Sequence, residues 1–297
     1  MNILKKLFGE LNLTFKKVIL FAIISGIYTA IMAMLPIFSN TSFHDIAVSF
    51  EVWILFGIII ITNSKSPKDS AFKCFIFFLI SQPIVYLLQV PFNSEGFHIF
   101  RYYKYWFIWT ILTLPMGYIG YYIKKNKWYS LFILIPILLF LGSHYYEYLK
   151  QLIYDFPYHL LTVLFCLITL IIYPIFIFNN KKLNISGFII SILIIIVFSI
   201  MAFTYKYSYN TTLLISNGSY NISFDNNSRA YLTDKSLGDI NIEYNKDIEE
   251  YVINGEFKKA GKTQLILIDN NNKKYVFVVE IGIGTFDINK VQWNVFY

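Results

Sequence analysis

The sequence predicts a membrane-embedded all-α bundle of seven helices, followed by an all-β sandwich domain at the C-terminus. Residues 1–204 form a series of apolar, aromatic-rich segments, whereas residues 205–297 alternate short strand-like stretches with polar turns. The chain is 56% hydrophobic and 20% aromatic over 297 residues, which is well above the composition of water-soluble domains. We therefore expect an amphipathic segment over 1–17, a transmembrane domain over 18–204 and a β-sandwich over 205–297.

Seven segments are long and apolar enough to be helical spans, which need about 20 residues each. For the first, a cleaved signal peptide is the alternative, but the long apolar run and the lack of a small-residue cleavage motif favour an uncleaved anchor. The second is the shortest, because Val52–Ile61 alone has 10 residues, so its crossing must begin near Ile46. The predicted spans are Val18–Phe38, Ile46–Ile61, Phe75–Phe92, Tyr105–Ile123, Trp128–Tyr146, Tyr158–Phe178 and Ile185–Phe203.

The distribution of basic residues predicts the orientation of these spans. With the N-terminus in the cytoplasm, the inner segments hold twelve lysines and the outer loops hold only Arg101, Lys104 and Lys150. Cytoplasmic loops of membrane proteins carry such an excess of basic residues, so we expect an extracellular C-terminal domain. The inner lysines are Lys5, Lys6, Lys16, Lys17, Lys65, Lys68, Lys73, Lys124, Lys125, Lys127, Lys181 and Lys182.

The first 17 residues are predicted to form a short helix on the cytoplasmic membrane surface. Their apolar residues recur at helical spacing with lysines between them, which is typical of an interfacial amphipathic helix. These apolar residues are Ile3, Leu4, Leu7, Phe8, Leu11 and Phe15.

Charge and cysteine content exclude several classes of function for the C-terminal domain. Residues 205–297 carry 10 Lys and Arg against 11 Asp and Glu, without the basic stripe that nucleic-acid binding requires. The two cysteines, Cys74 and Cys166, both lie in apolar segments, so the domain has no disulfide framework and no cysteine-based zinc site. We expect no cofactor, no bound metal and no nucleic-acid partner. The abundance of Phe, Ile, Tyr, Asn and Lys indicates an AT-rich bacterial genome, and hence a bacterial cell membrane.

Short alternating stretches separated by turn residues predict the strands of the C-terminal domain. The clearest signal is a hairpin formed by Thr263–Asp269 and the segment from Lys274 to Glu280, joined by an asparagine-rich turn. The predicted strands are Thr211–Ser216, Ser219–Phe224, Asp239–Tyr244, Tyr251–Phe257, Thr263–Asp269 and Lys274–Ile281.

The segment from Glu256 to Asp269, with its Gly261-Lys-Thr263 start, resembles the final strands of bacterial immunoglobulin-like domains. It departs from them at Asn271 and Asn272, where a glycine is common. The resemblance covers about 30 residues and implies a surface module that spaces or binds, without catalytic residues. The whole chain also resembles uncharacterised seven-span bacterial membrane proteins of similar length, which implies the topology but no activity.

The candidate site residues lie in predicted outer loops or at outer helix ends. All four histidines fall there together with several carboxylates, and His144 and Glu147 are spaced to share a helix face. Histidine and carboxylate side chains serve as Zn²⁺ or Mn²⁺ ligands or as acid–base pairs. The alternative is that polar residues gather at membrane edges because the apolar interior excludes them. The candidates are His44, Asp45, Glu51, Glu95, His98, Arg101, His144, Glu147, Asp155 and His159.

Glu51 is the strongest single candidate, because an ionised carboxylate inside the membrane boundary is costly unless it is paired or hydrated. Arg101 or Lys104, at the outer start of the fourth predicted span, is the expected partner. Either a polar cavity that opens to the outside or a structural ion pair accounts for a carboxylate at this position.

Three functions follow from these observations. The first is a non-enzymatic envelope protein whose bundle anchors an extracellular immunoglobulin-like module for an envelope polymer or a partner protein. The second is a transporter or lipid-handling protein with an outward-facing pocket near Glu51. The third is a membrane enzyme that uses the outer histidines and carboxylates. No motif for catalysis or phosphate binding favours the enzyme.

Overall fold

The computed structural model describes residues 2–38, 41–93, 95–154, 156–205, 209–213, 225–246, 249–282 and 285–288. The chain divides into two compact units, Met1–Phe203 and Thr204–Tyr297. In its described part, the first unit is helical. The second unit is an antiparallel sheet domain, except that its first residue, Thr204, is the last residue of the final helix. The structure therefore confirms a helical N-terminal part followed by a β domain.

The helices of the first unit follow the apolar segments of the sequence. Several begin at a side-chain cap: Ser66 accepts a hydrogen bond from the Asp69 backbone N–H at 3.1 Å, with Pro67 in the first helical position. These residues favour helix starts because they satisfy or dispense with unpaired backbone N–H groups. The helices are α1 (Asn2–Lys5), α2 (Phe15–Met34), α3 (Ser42–Val48), α4 (Phe50–Thr62), α5 (Pro67–Gln89), α6 (Tyr103–Gly120), α7 (Trp128–Tyr154), α8 (Leu160–Ile177) and α9 (Lys181–Thr204).

Among the described residues, five helices are long and apolar enough to cross a membrane: α2, α5 with the turn that follows it, α7, α8 and α9. The pair α3 and α4 adds a sixth when its two helices, bent by 50°, are counted as one span. The predicted fourth span corresponds to α6, which is as long as α8 but less apolar and is not among the five. The structure thus supports a multi-pass membrane protein with five or six candidate spans, fewer than the seven predicted.

The outside of the bundle is apolar, as contact with lipid requires. Large apolar side chains are exposed along α2, α6 and α9, including Leu20, Ile108 and Ile200. The interior is formed mainly by α7 and α8, where Leu134, Leu138 and Leu170 are fully buried together with neighbouring residues.

The segments that were predicted to be cytoplasmic meet at one end of the bundle. The Lys124 ammonium donates to the Thr62 carbonyl at 3.0 Å, which joins the turn that follows α6 to the end of α4. The Asn126 side chain accepts from the Asn179 backbone N–H at 2.7 Å, which joins the α6–α7 and α8–α9 connections. The Asn63 side chain bonds the N-terminal segment at Leu11. The lysine-rich connections therefore share one end of the helical unit.

The N-terminal segment differs from the continuous surface helix that the sequence predicts. It consists of α1, a wide helical turn over Lys6–Glu10 and an extended stretch before α2. Phe8 is buried and its ring lies 6.0 Å from that of Tyr173 on α8. The apolar spacing that suggested membrane contact instead packs Leu4, Leu7 and Phe8 against the bundle.

The second unit contains two antiparallel sheets in its described part. The three-stranded sheet has the order β1-β4-β3 and the four-stranded sheet has the order β2-β5-β6-β7. The strands are β1 (Tyr209–Leu213), β2 (Arg229–Leu232), β3 (Gly238–Asn245), β4 (Glu250–Phe257), β5 (Gly261–Ile268), β6 (Lys274–Gly282) and β7 (Thr285–Ile288).

The predicted hairpin is confirmed as β5 and β6, which pair from Gly261 opposite Ile281 to Ile268 opposite Lys274. The predicted strands from Asp239 and Tyr251 correspond to β3 and β4, and the first predicted strand partly to β1. The sequence missed β2 and β7. The predicted strand Ser219–Phe224 lies outside the described residues.

The turn of the hairpin is organised by Asp269. Its carboxylate accepts hydrogen bonds from the backbone N–H groups of Asn271 at 2.9 Å and Lys273 at 2.8 Å, and from the Tyr275 hydroxyl at 3.0 Å. Asn272 has a positive φ of 61°, a conformation that asparagine tolerates better than most side chains. This explains how the turn forms without the glycine that is common in immunoglobulin-like domains.

We predict that the approach of α6 to α5 limits the size of residue 117. A Cβ atom added to Gly117 would lie 3.0 Å from the Ala71 Cα and 3.1 Å from the Ser70 carbonyl oxygen, both rigid backbone atoms. We expect Gly117→Ala to destabilise the purified protein by about 1–3 kcal/mol, as overpacking does, and to lower its melting temperature. Gly57→Ala on α4 is the control, because nothing lies within 4 Å of its added Cβ. An unchanged melting temperature for Gly117→Ala would contradict the close packing.

Candidate functional site: two histidine–carboxylate pairs at a broken helix

The site is built around the break between α3 and α4. Ser49 has an extended backbone there, and its hydroxyl donates to the Ile46 carbonyl at 3.2 Å. Asp45 lies one turn before the break and Glu51 lies in the first turn of α4. A carboxylate is favoured at a helix start because the unpaired N–H groups there carry partial positive charge. The break thus lies between two carboxylates that are close together along the chain.

Glu51 is completely buried, with 0% of its side chain exposed. His144 of α7 provides its partner, since the His144 Nδ1 lies 2.7 Å from the Glu51 Oε1. The two groups form an ion pair when His144 is protonated, but neither Glu51 oxygen has a hydrogen bond of normal geometry to another described residue. The predicted partners are therefore wrong: Arg101 binds Glu95 instead, at 2.7 Å, and Lys104 is exposed on α6.

His144 connects the buried carboxylate to the outside of the helical unit. Its side chain is 30% exposed, whereas that of Glu51 is completely buried. The His144 ring lies 4.5 Å from the ring of Phe140 and 6.2 Å from that of Phe50. These apolar neighbours hold the imidazole beside Glu51 and strengthen the electrostatic interaction between the two groups by excluding water.

The second pair joins α3 to the start of α8. The His159 Nδ1 lies 2.8 Å from the Asp45 Oδ2, and the Thr162 hydroxyl donates to the same oxygen at 3.3 Å. The His44 Nδ1 lies 3.8 Å from the Asp45 Oδ1, at the limit of an ion pair. The Ser42 hydroxyl adds a hydrogen bond to the Tyr158 carbonyl at 2.7 Å. Asp45 therefore fixes the orientation of α3 against α8.

The remaining predicted residues do not join these pairs. His98 is exposed in the turn Gly96–Arg101. Glu147 is 53% exposed and pairs with Lys150 at 2.6 Å, so it does not share a partner with His144. Asp155 lies outside the described residues.

Sequence reasoning missed the aromatic and hydroxyl groups that complete the site. Thr162 follows His159 by three positions, so its helical spacing was an available signal. The Tyr148 ring lies 6.3 Å from the ring of His159. The Tyr173 hydroxyl is buried and has no hydrogen-bond partner in the described part of the chain. A single sequence carries no signal for such contacts between distant segments.

The described residues contain no group of three or more His, Cys, Asp or Glu side chains placed to hold a metal ion. Each histidine of the two pairs contacts one carboxylate, and the pairs use separate carboxylates. This arrangement suits the binding and release of protons. In the Glu51–His144 pair the carboxylate is fully buried and the imidazole, a group able to exchange protons near neutral pH, is partly exposed.

An aromatic-lined cleft of about 580 Å³ lies beside the site, between α2, α4, α5 and α6. Phe50 contacts both a wall of the cleft and the Glu51–His144 pair. Its ring lies 5.0 Å from that of Trp106, which lines the cleft, and 6.2 Å from that of His144.

Comparison of the chain with protein-family models, curated proteins and solved structures finds no match. The resemblances noted in the sequence therefore stay predictions, and the site has to be interpreted from its own geometry.

We predict that Glu51 and His144 are energetically coupled. His144→Ala leaves a buried carboxylate without its partner, and we expect it to lower the free energy of unfolding by about 3–5 kcal/mol. Glu51→Gln removes the charge itself, so its effect on the free energy of unfolding should be much smaller. The double variant should therefore be more stable than His144→Ala alone. Thermal unfolding of the purified protein in one detergent measures all three variants.

Glu147→Gln is the control for these measurements, because Glu147 is 53% exposed and its carboxylate, unlike that of Glu51, keeps contact with water. If the effects of Glu51→Gln and His144→Ala add to within about 0.5 kcal/mol, the two residues are not coupled.

Proposed function

We propose that the helical unit is a proton-linked transporter or lipid-handling protein of the cell membrane, and that the Glu51–His144 pair binds the proton. The observation that carries the proposal is the complete burial of Glu51 beside a single histidine at a broken helix. Carboxylates are retained inside membrane bundles mainly where they serve ion or substrate pathways. Discontinuous helices are common at the binding sites of secondary transporters.

The position of His144 supports a route for the proton. Because the imidazole is partly exposed, it can exchange a proton with the surroundings and pass it to the sealed carboxylate. The pair is neutral overall when His144 is protonated and Glu51 ionised, and it becomes negatively charged when His144 loses its proton. A change in charge at a buried site alters the relative stability of conformations of the bundle, which is what coupling requires.

A membrane enzyme that uses the same residues is the competing interpretation of this site. In that case Glu51 or His144 would act as an acid or base on a bound substrate. Neither Glu51 nor His144 lines the cleft, so a ligand in the cleft would not touch the pair in this conformation. We therefore favour proton binding that acts at a distance over direct chemistry.

The sheet domain supports a second candidate function, in which it binds an envelope polymer or a partner protein outside the cell as an immunoglobulin-like module. Tyr244 of β3 and Tyr251 of β4 stack across the sheet with ring centroids 5.2 Å apart, and Tyr244 is 50% exposed. Exposed aromatic side chains are frequent anchors in binding surfaces. This candidate requires the domain to lie outside the cell.

Two observations support an extracellular sheet domain. The lysine-rich connections meet at one end of the bundle, as expected for the cytoplasmic side of a membrane protein. The hydroxyls of Tyr145 and Ser199, in the C-terminal halves of α7 and α9, pair at 2.8 Å. Since α7 begins at the lysine-rich end, α9 should deliver the chain to the opposite side.

Labelling of single cysteines tests this orientation. We expect Lys235→Cys, at an exposed position of the sheet domain, to react with a membrane-impermeant maleimide in intact cells. Lys127→Cys, in a lysine-rich connection, should react only after the cells are opened. Cys74 and Cys166 are buried, so their background should be low. The reverse pattern of labelling would place the sheet domain in the cytoplasm.

Complementation of a deletion strain tests the proposed function. The envelope lipids and surface glycans of the strain are compared with those of the parent by mass spectrometry, and the difference defines the phenotype. We expect Glu51→Gln to fail to restore the parental profile, although it reaches the membrane at a normal level, because it cannot carry the exchangeable charge. Glu147→Gln should restore it.

Removal of residues 207–297 distinguishes the two candidate functions in the same assay. A truncated chain that restores the profile, together with a failed Glu51→Gln, assigns the function to the helical unit. A failed truncation together with an active Glu51→Gln assigns it to the sheet domain and contradicts the proton-linked role.

A further inference from the structure

The cleft between α2, α4, α5 and α6 has the size and composition of a ligand site. Its volume of about 580 Å³ is within the range of about 300–1,000 Å³ that is typical of small-molecule pockets. It extends from the α5–α6 connection, at Asn93 and Glu95, to Gln82 within α5. A molecule or headgroup entering from that connection would therefore reach about two helical turns into the bundle.

Aromatic rings form the walls of the cleft. Trp53 of α4, Tyr86 of α5 and Trp106 of α6 line it, and Tyr102 and Tyr105 lie nearer the connection. Trp53 is held in place by the rings of Phe56 and Phe78, at 5.8 and 5.9 Å. Such walls offer flat apolar faces for stacking together with polar edges that can take part in hydrogen bonds.

Two polar atoms of the cleft lack partners among the described residues. The Gln82 side chain is only 2% exposed, and its Nε2 donor has no hydrogen bond. The Glu95 Oε2 acceptor is also buried and has none. By contrast, the Gln89 Nε2 already donates to the Val85 carbonyl at 3.0 Å. An unpaired buried donor or acceptor is energetically unfavourable, so a ligand that supplies both an acceptor and a donor would be stabilised by pairing with these two atoms.

The charge of the cleft decides between a cationic and a neutral ligand. Aromatic rings beside a carboxylate suit an organic cation, but the Glu95 carboxylate is already neutralised. The Arg101 guanidinium donates to the Glu95 Oε1 at 2.7 Å and to the Tyr102 hydroxyl at 2.7 Å. Arginine is charged at all physiological pH values, and its hydrogen bond to the Tyr102 hydroxyl and the charge of Glu95 raise the pKa of Arg101 further. With the cation in place, the cleft favours a neutral ligand.

We infer that the cleft binds a sugar ring, as a free sugar or as the headgroup of a glycolipid. Hydroxyl groups both donate and accept, so hydroxyls on opposite edges of one ring can pair with the Gln82 amide deep in the cleft and with the Glu95 carboxylate near the connection. The C–H faces of the ring are apolar and suit the walls formed by Trp53 and Trp106. The inference goes beyond the proposed function, because it holds whether or not Glu51 exchanges protons.

Binding by the full-length protein in phosphatidylcholine nanodiscs, prepared without glycosidic detergents, tests the inference. The probes are methyl glycosides of glucose, galactose and N-acetylglucosamine in solution, and monoglucosyl diacylglycerol within the nanodisc. Diacylglycerol and choline chloride are the controls for the lipid tail and for a cation. Tryptophan fluorescence follows binding, because two of the five tryptophans of the chain line the cleft, and the melting temperature gives a second readout.

We expect a saturable response to at least one sugar probe, with no response to diacylglycerol or choline. A response to a soluble methyl glycoside identifies the ring alone as the ligand, and a response restricted to the glycolipid identifies a lipid-borne sugar. No response to any of the four sugar probes, or a response to choline alone, would overturn the inference.

Substitution of Gln82 tests the location of binding. Gln82→Leu keeps the side chain near its original size but removes the donor, so we expect affinity to fall about three- to tenfold, the loss of one hydrogen bond. Gln151→Leu on α7 is the matched control, because it changes the same chemistry away from the cleft. If Gln82→Leu does not fold, Glu95→Gln replaces it, with the same expected loss. Unchanged affinity in a folded cleft variant, or an equal loss in Gln151→Leu, would place binding elsewhere.

Discussion

The helical unit depends on one constraint, which is the presence of a sealed carboxylate within an apolar bundle. Glu51 loses its hydration completely, and His144 is the only described side chain close enough to compensate its charge. A buried ion pair of this kind contributes little net stability, because the cost of removing both charges from water offsets their attraction. It does restrict geometry, since α4 and α7 must keep these two side chains in register. The break before α4 and the packing of Phe140 against the imidazole both serve that restriction.

Much of this architecture was predictable because it follows from local composition. Long apolar runs must form helices in lipid, where every backbone polar group needs a partner within the segment. The lysine-rich connections were predictable for the same reason, as they lie where the apolar runs end. In the sheet domain, β5 and β6 carry the apolar stretches 265–268 and 275–279 on either side of an asparagine-rich turn. The turn itself needed only Asp269 and Asn272, which are adjacent to the strands that they join.

The parts that were not predictable depend on contacts between distant segments. Prolines are the usual signal for a helix break, yet α5, α6, α7 and α8 continue through Pro83, Pro115, Pro136 and Pro174. The break occurs at Ser49 instead, where the carboxylates on either side reach different helices. The N-terminal segment shows the same effect, because Phe8 finds a pocket beside Tyr173 that its own sequence does not reveal. The sequence predicts the wrong partner for Glu51 because charge alone favours Arg101, whereas the contact with His144 joins two distant segments.

The position of Phe50 gives a physical reason to expect that the ion pair and the cleft are coupled. Its ring contacts Trp106 on the side of the cleft and His144 on the side of the pair. A ligand that moves Trp106 would therefore shift Phe50 and change how closely the imidazole approaches Glu51. The converse also holds, because a change in the protonation of the pair would alter the packing of Phe50 against Trp106. Coupling of this kind is reciprocal, so proton binding and ligand binding would each change the affinity of the other by the same factor. A single aromatic side chain between two sites is the simplest structure that can carry such an effect.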